Sequence, residues 1–132
     1  MKNRLLTILV STLAATTAAA ADAPQPKALH CVDLSRIKQT EILDDQHMLF
    51  RMNDGKQYLN TLPHRCPGMR KDQPYLVRTI GDRLCDLDLV TMLDTAPFGF
   101  MPGASCGLSK FEPVTNEQIE MVKRAQGGSA KN

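Results

Sequence analysis

Between Ile37 and Cys66, apolar and polar residues fall into three short β-type runs: Ile37 to Leu43, His47 to Met52 and Lys56 to Cys66. Two clusters of turn residues, Asp44-Asp45-Gln46 and Asn53-Asp54-Gly55, separate them. Runs of strand length punctuated in this way predict a meander of antiparallel strands. The stretch from Met52 to Lys56 suits a type I turn followed by Gly55 in the left-handed region, which is free of cost only without a Cβ. That register sets Phe50 opposite Tyr58 and Leu49 opposite Leu59. A two-residue Asp54-Gly55 loop would instead set Phe50 opposite Leu59 and Arg51 opposite Tyr58. Cross-strand aromatic and aliphatic pairing favours the first register.

The rest of the chain is read around this meander. Leu29 to Leu34 is a short extended segment upstream. Pro63 stops the third strand, and Cys66-Pro67-Gly68 opens an irregular loop through Pro74. Tyr75 to Ile80, the turn Gly81-Asp82, and Arg83 to Leu93 predict a second hairpin. In its second strand Leu87 and Leu89 alternate with Asp86 and Asp88, giving one apolar and one wet face. Ala96 to Gly107, with two prolines and three glycines, reads as a loop. Thr115 and Gln118 have capping-box spacing and predict a short helix to about Ala125, with Ile119 and Val122 toward the sheet. Lys123 and Arg124 fall near its C-terminal end, where cations are favoured.

The first 21 residues read differently. Lys2 and Arg4 precede an apolar run from Leu5 to Leu13, and Ala19-Ala20-Ala21 offers a small-residue cleavage site. These are the parts of a cleaved signal peptide, the run being too short to span a bilayer. Residues 22–28 form a flexible Pro-containing leader, residues 29–126 a single domain, and residues 127–132 a disordered tail. The whole chain holds 16 Lys+Arg against 14 Asp+Glu. Lys2 and Arg4 account for the excess, so the exported part is balanced. Neither nucleic acid nor a membrane surface is indicated as a partner.

All four cysteines, Cys31, Cys66, Cys85 and Cys106, lie in the exported part. An even number in an oxidising compartment implies two disulfides, whose pairing the sequence leaves open. Cys31 lacks the preceding small residue of a lipid-modified cysteine. No Cys-x-x-Cys supports a zinc site or a redox pair.

Candidate chemistry is sparse. Asp86 and Asp88 would share one face of a strand, where carboxylates do acid–base work or hold calcium, or simply form a wet face. His47, Met48, Met52, His64 and Met69 invite a copper or zinc reading. No His separates Cys66 from Met69, as a blue-copper loop would require. Ser35, Ser105 and Ser109 lack a nucleophile elbow, and His30, His47 and His64 show no partner spacing. No phosphate loop, dinucleotide fingerprint or haem motif occurs, so no cofactor is implied. The most suggestive stretch is Pro97-Phe98-Gly99-Phe100-Met101-Pro102-Gly103, holding two of the four Phe residues. Phe98, Phe100 and Met101 either form an apolar tip that anchors a partner or fold back to cap the sheet.

Five segments carry a family resemblance: Cys31 to Ile37, Ile42 to Gln46, Tyr58 to Met69, Arg83 to Asp88 and Cys106 to Pro113. With all four cysteines in place from Leu29 to Val114, the chain resembles a family of small exported proteobacterial proteins known only as a domain of unknown function. The resemblance implies an exported protein of a Gram-negative bacterium and supplies no activity.

The sequence therefore predicts a mainly β (α+β) domain: an antiparallel meander or incomplete barrel of five to six strands, two disulfides and a short C-terminal helix. The expected role is a non-enzymatic periplasmic or secreted binding module with a protein partner. Metal handling and a small hydrolase stand as alternatives.

Overall fold

A computed structural model describes residues 26–129; residues 1–25, on which the expected signal peptide and the start of the expected leader fall, and residues 130–132, the end of the expected tail, lie outside it. In chain order the described residues form β1 (Cys31–Asp33), β2 (Ile37–Ile42), β3 (His47–Met52), β4 (Gln57–Thr61), β5 (Tyr75–Arg78), β6 (Arg83–Cys85), β7 (Leu89–Ala96), β8 (Gly99–Gly107), β9 (Phe111–Pro113) and α1 (Asn116–Ser129). These nine strands make three antiparallel sheets, ordered β1-β6, β2-β3-β4-β9 and β5-β7-β8. The fold is mainly β, with more strands than the five or six expected and without a closed barrel.

The meander forms as its sequence dictates. Phe50 lies opposite Tyr58 and Leu49 opposite Leu59, and Gly55 has the left-handed φ of 85° that the longer turn requires. Met48, Phe50, Met52 and Tyr58 face the main core, where they meet Val90, Met92 and Phe111. The Phe50 and Phe111 rings pack edge-on with centroids 5.3 Å apart. The Tyr75 hydroxyl of β5 is pushed above its ordinary pKa by burial, against the opposing effect of its hydrogen bond with Thr40 of β2.

Leu49, Leu59 and Ile119 are buried but belong to no part of that core. They occupy the opposite face of the four-stranded sheet, where α1 lies. Glu41 on that face takes hydrogen-bonded ion pairs from Arg51 of β3 at 2.9 Å and Lys123 of α1 at 3.1 Å. Burial alone would raise the Glu41 pKa, but the hydrogen bonds from Lys123 and Arg51 outweigh it and hold the carboxyl below its ordinary range. The capping box forms as expected: Gln118 N–H donates to Thr115 Oγ1 and Thr115 N–H to Gln118 Oε1. The helix then runs past Ala125 to Ser129, into the stretch expected to be a frayed tail.

Three expectations fail downstream of the meander. β5 and β6 do not pair as a hairpin; β5 joins β7, and β6 joins β1. Arg83 to Leu93 is not one strand, because Asp86-Leu87-Asp88 turns the chain and Leu87 has φ 76°. Leu87 and Leu89 are consequently exposed rather than a core face. Finally, the Pro/Gly-rich stretch after Ala96 is strand β8, not a loop.

The disulfides are Cys31–Cys85, linking opposed residues of β1 and β6, and Cys66–Cys106, linking the loop after β4 to β8. Val32 and Leu84 turn inward from the β1–β6 ribbon, which thereby closes one end of the core. Such bridges point to a non-cytoplasmic, oxidising location. Among the described residues no helix is long and apolar enough to cross a membrane.

Candidate interaction surface

β7 and β8 form a long hairpin closed by the two residues Pro97-Phe98, with Ala96 opposite Gly99. β8 tolerates Pro102 because it pairs with β7 alone, so the missing N–H falls on a strand needed on one side only. A bulge between Thr91 and Leu93 sets Gly103 and Ala104 against Met92. A Cβ at Gly103 would stand 2.6 Å from Asp94 Oδ2, so no larger residue fits there undisturbed.

Cross-strand partners share a face. Tyr75, Val90, Met92, Ala104 and Cys106 turn toward the core. The rows Leu76–Thr91–Ser105, Leu93–Pro102 and Thr95–Phe100 turn outward. Thr91 and Ser105 join their hydroxyls at 2.7 Å. At the tip Phe98 is 103% exposed, Phe100 61% and Met101 61%. The aromatic stretch therefore does not fold back over the sheet. The hairpin carries a single charge, Asp94, between Leu89 and Ser109.

The hairpin is held from its inner side. The buried Gln73 donates Nε2 to Leu93 O at 3.3 Å and Asp94 Oδ1 at 3.0 Å, while its Oε1 accepts Arg70 N–H at 3.0 Å. Leu93 N–H donates to Pro74 O, and Cys66–Cys106 fastens the base of β8.

The other predicted site residues are dispersed. Met48, Met52 and Met69 are buried in the core and His64 is exposed. His47 Nδ1 sits 2.8 Å from Asp44 Oδ2, and Asp44 Oδ1 also accepts the backbone N–H groups of Gln46 and His47. Among the described residues no group of three or more His, Cys, Asp or Glu could hold a metal ion. His30 Nδ1 meets Asp86 Oδ2 at 2.8 Å, whereas Asp88 Oδ2 accepts the Cys85 N–H of its own turn.

Sequence reasoning missed a cleft of about 580 Å³ between the β2–β3 turn and α1. His47, Asp44 and Arg65 line it together with Val122, Ala125 and Gln126. Asp45 holds Arg65 Nη1 through both carboxylate oxygens at 3.0 Å. An oriented imidazole beside a guanidinium over an apolar floor can bind a small polar molecule. The turn Asp44-Asp45-Gln46 was its sequence signal, but the helix that completes it comes from the far end of the chain.

Comparison with proteins of curated function finds no match, and neither does comparison with solved structures. A family description spans residues 1–130, taking in α1 as well as the segments that carried the resemblance. The chain belongs to the Family of unknown function (DUF6491).

Proposed function

We propose that this chain is a non-enzymatic binding module, exported by a Gram-negative bacterium, that holds a protein of the envelope or extracellular space as an inhibitor or accessory subunit would. The observation that carries this reading is the β7–β8 tip, where three large apolar side chains stand exposed on a braced hairpin. Full burial of such side chains is worth about 1.5–3 kcal/mol each. That is enough to anchor a contact, provided the hairpin is already ordered and the ordering cost is small.

Charge favours a protein over a lipid surface. Interfacial lipid binders flank their apolar groups with Lys and Arg that meet anionic headgroups. This hairpin has neither between Leu89 and Ser109, and its one charge is acidic. The outward Leu76, Leu93 and Pro102 extend the apolar surface back from the tip along the sheet.

The test is affinity capture from envelope extract with the native protein and with a Phe98→Ala/Phe100→Ala variant that keeps its circular dichroism. Loss of the captured protein in the variant supports the reading. Undiminished capture removes the tip from it. Co-sedimentation of the native protein, but not the variant, with phosphatidylethanolamine–phosphatidylglycerol vesicles would replace the protein partner with lipid.

A further inference from the structure

We infer that the turn Asp86-Leu87-Asp88, with Ile80, which like Leu87 stands two residues beyond the end pair Arg78–Leu89 of β5 and β7, is a second interaction surface, built to seat an apolar knob in a protein pocket rimmed by Lys or Arg. It is separate from the hairpin tip. β7 has eight residues, and at about 3.3 Å per residue its two ends lie roughly 25 Å apart.

The starting point is a backbone outlier. Leu87 has φ 76°, a region in which L side chains crowd the following carbonyl. Asp72 is the other non-glycine residue there among the described residues, and Asp tolerates it through local hydrogen bonding. Leu has no such compensation. Nor does burial explain the choice, since Leu87 is 85% exposed and Ile80 is fully so. Glycine would satisfy the backbone better and leave no apolar group in water.

The strain persists because the turn is fastened on every side. Leu87 N–H donates to Leu108 O, Leu108 N–H to Asp88 O, Asp86 N–H to His30 O and Asp88 N–H to Cys85 O. Cys85 N–H donates to Asp88 Oδ2, and Cys85 itself is bridged to Cys31. Strain that the surrounding structure enforces, at a side chain with nothing to pack on, marks a group kept for contact with something outside the molecule.

Charge names the kind of partner. Asp82, Asp86 and Asp88 stand in these two turns; with Asp86 paired to His30 and Arg83 to Asp33, Asp82 and Asp88 remain against the guanidinium of Arg78, which is opposite Leu89. An acidic rim repels phosphate, so nucleic acid and anionic lipid are disfavoured. It complements a basic rim around an apolar pocket.

The test has two independent parts. In urea, Leu87→Gly is expected to raise the unfolding midpoint, because relief of the left-handed strain exceeds the entropy cost of glycine and raises the folding constant roughly two- to fivefold. For contact, the full chain is made in its native organism with a benzoylphenylalanine photocrosslinker at position 80. One discrete protein adduct is expected, lost in Leu87→Gly and in Asp86→Lys and retained in Phe98→Ala/Phe100→Ala. A lowered midpoint in Leu87→Gly would show that Leu87 serves the fold. That result overturns the inference, as does the absence of an adduct or its survival in either Leu87→Gly or Asp86→Lys. Loss of the adduct in Phe98→Ala/Phe100→Ala would overturn the separateness of the two surfaces.

Discussion

Asn60 offers the sharpest test of how the two larger sheets are joined. Among the described residues it is the buried polar residue with no exposed surface, and it spends both ends of its amide on one partner. Asn60 Nδ2 donates to Ser109 O at 2.6 Å, and Ser109 N–H donates to Asn60 Oδ1 at 2.9 Å. Ser109 lies in the link from β8 to β9, where the chain passes from one sheet to the other. Asn60→Ala leaves a backbone donor and a backbone acceptor without partners, and each such group costs about 1–3 kcal/mol. Ser109 is only half-buried, so water recovers part of this, and the lower half of the range applies: about 2–4 kcal/mol in total. In a domain with about 5–15 kcal/mol of stability that is a large fraction. Urea unfolding of the oxidised protein should show a midpoint lower by roughly 1–3 M at unchanged slope. Asn60→Asp should be no better, since it sets an oxygen against Ser109 O. A loss under about 1 kcal/mol in Asn60→Ala would refute the reasoning, showing that the link does not depend on this amide.

Two further predictions concern charge and covalent bridging. The depressed Glu41 carboxyl contributes stability that is present above its ordinary value of 4.5 and lost as pH falls through the folded-state value. Glu41→Gln should therefore be less stable than the native protein at neutral pH, with the gap closing in acid; a gap independent of pH between 3 and 7 would contradict the ion-pair assignment. The disulfides close segments of 54 and 40 residues, worth about 4 kcal/mol each in the chain-entropy account. Reduction of both should abolish or nearly abolish the fold. Native near-ultraviolet circular dichroism in a sample with four reactive thiols would count against it.

How much of this was legible differs by element. The meander could be read because its signals are local: runs of strand length, Asn53-Asp54-Gly55 between them, and aromatic residues that choose the register. α1 was legible at its start for the same reason, through Thr115 and Gln118. β8 was not, because Pro102, Gly99 and Gly103 are strand breakers in general and acceptable on a strand paired along one side. Arg83 to Leu93 misled for a different reason. Asp86-Leu87-Asp88-Leu89 has the period of a strand, and nothing local announces that a leucine will be held left-handed by Leu108, His30 and a disulfide. The Phe98–Met101 stretch was legible as a candidate but not as exposed, since exposure depends on where the hairpin points. The cleft at His47 joins residues from the middle of the chain to others from its C-terminal helix and has no signature that a local reading could find.

The placement of α1 bears on where this protein can be cut. Leu49 and Leu59 sit beneath the helix, on the back of two neighbouring strands that are already covered in front. A version ending at Val114 would retain every residue of the meander and both disulfides, yet present water with a bare hydrophobic wall. Such a truncation should precipitate or pair through that wall, so expression for structural or biochemical work has to extend through the last turn of the helix.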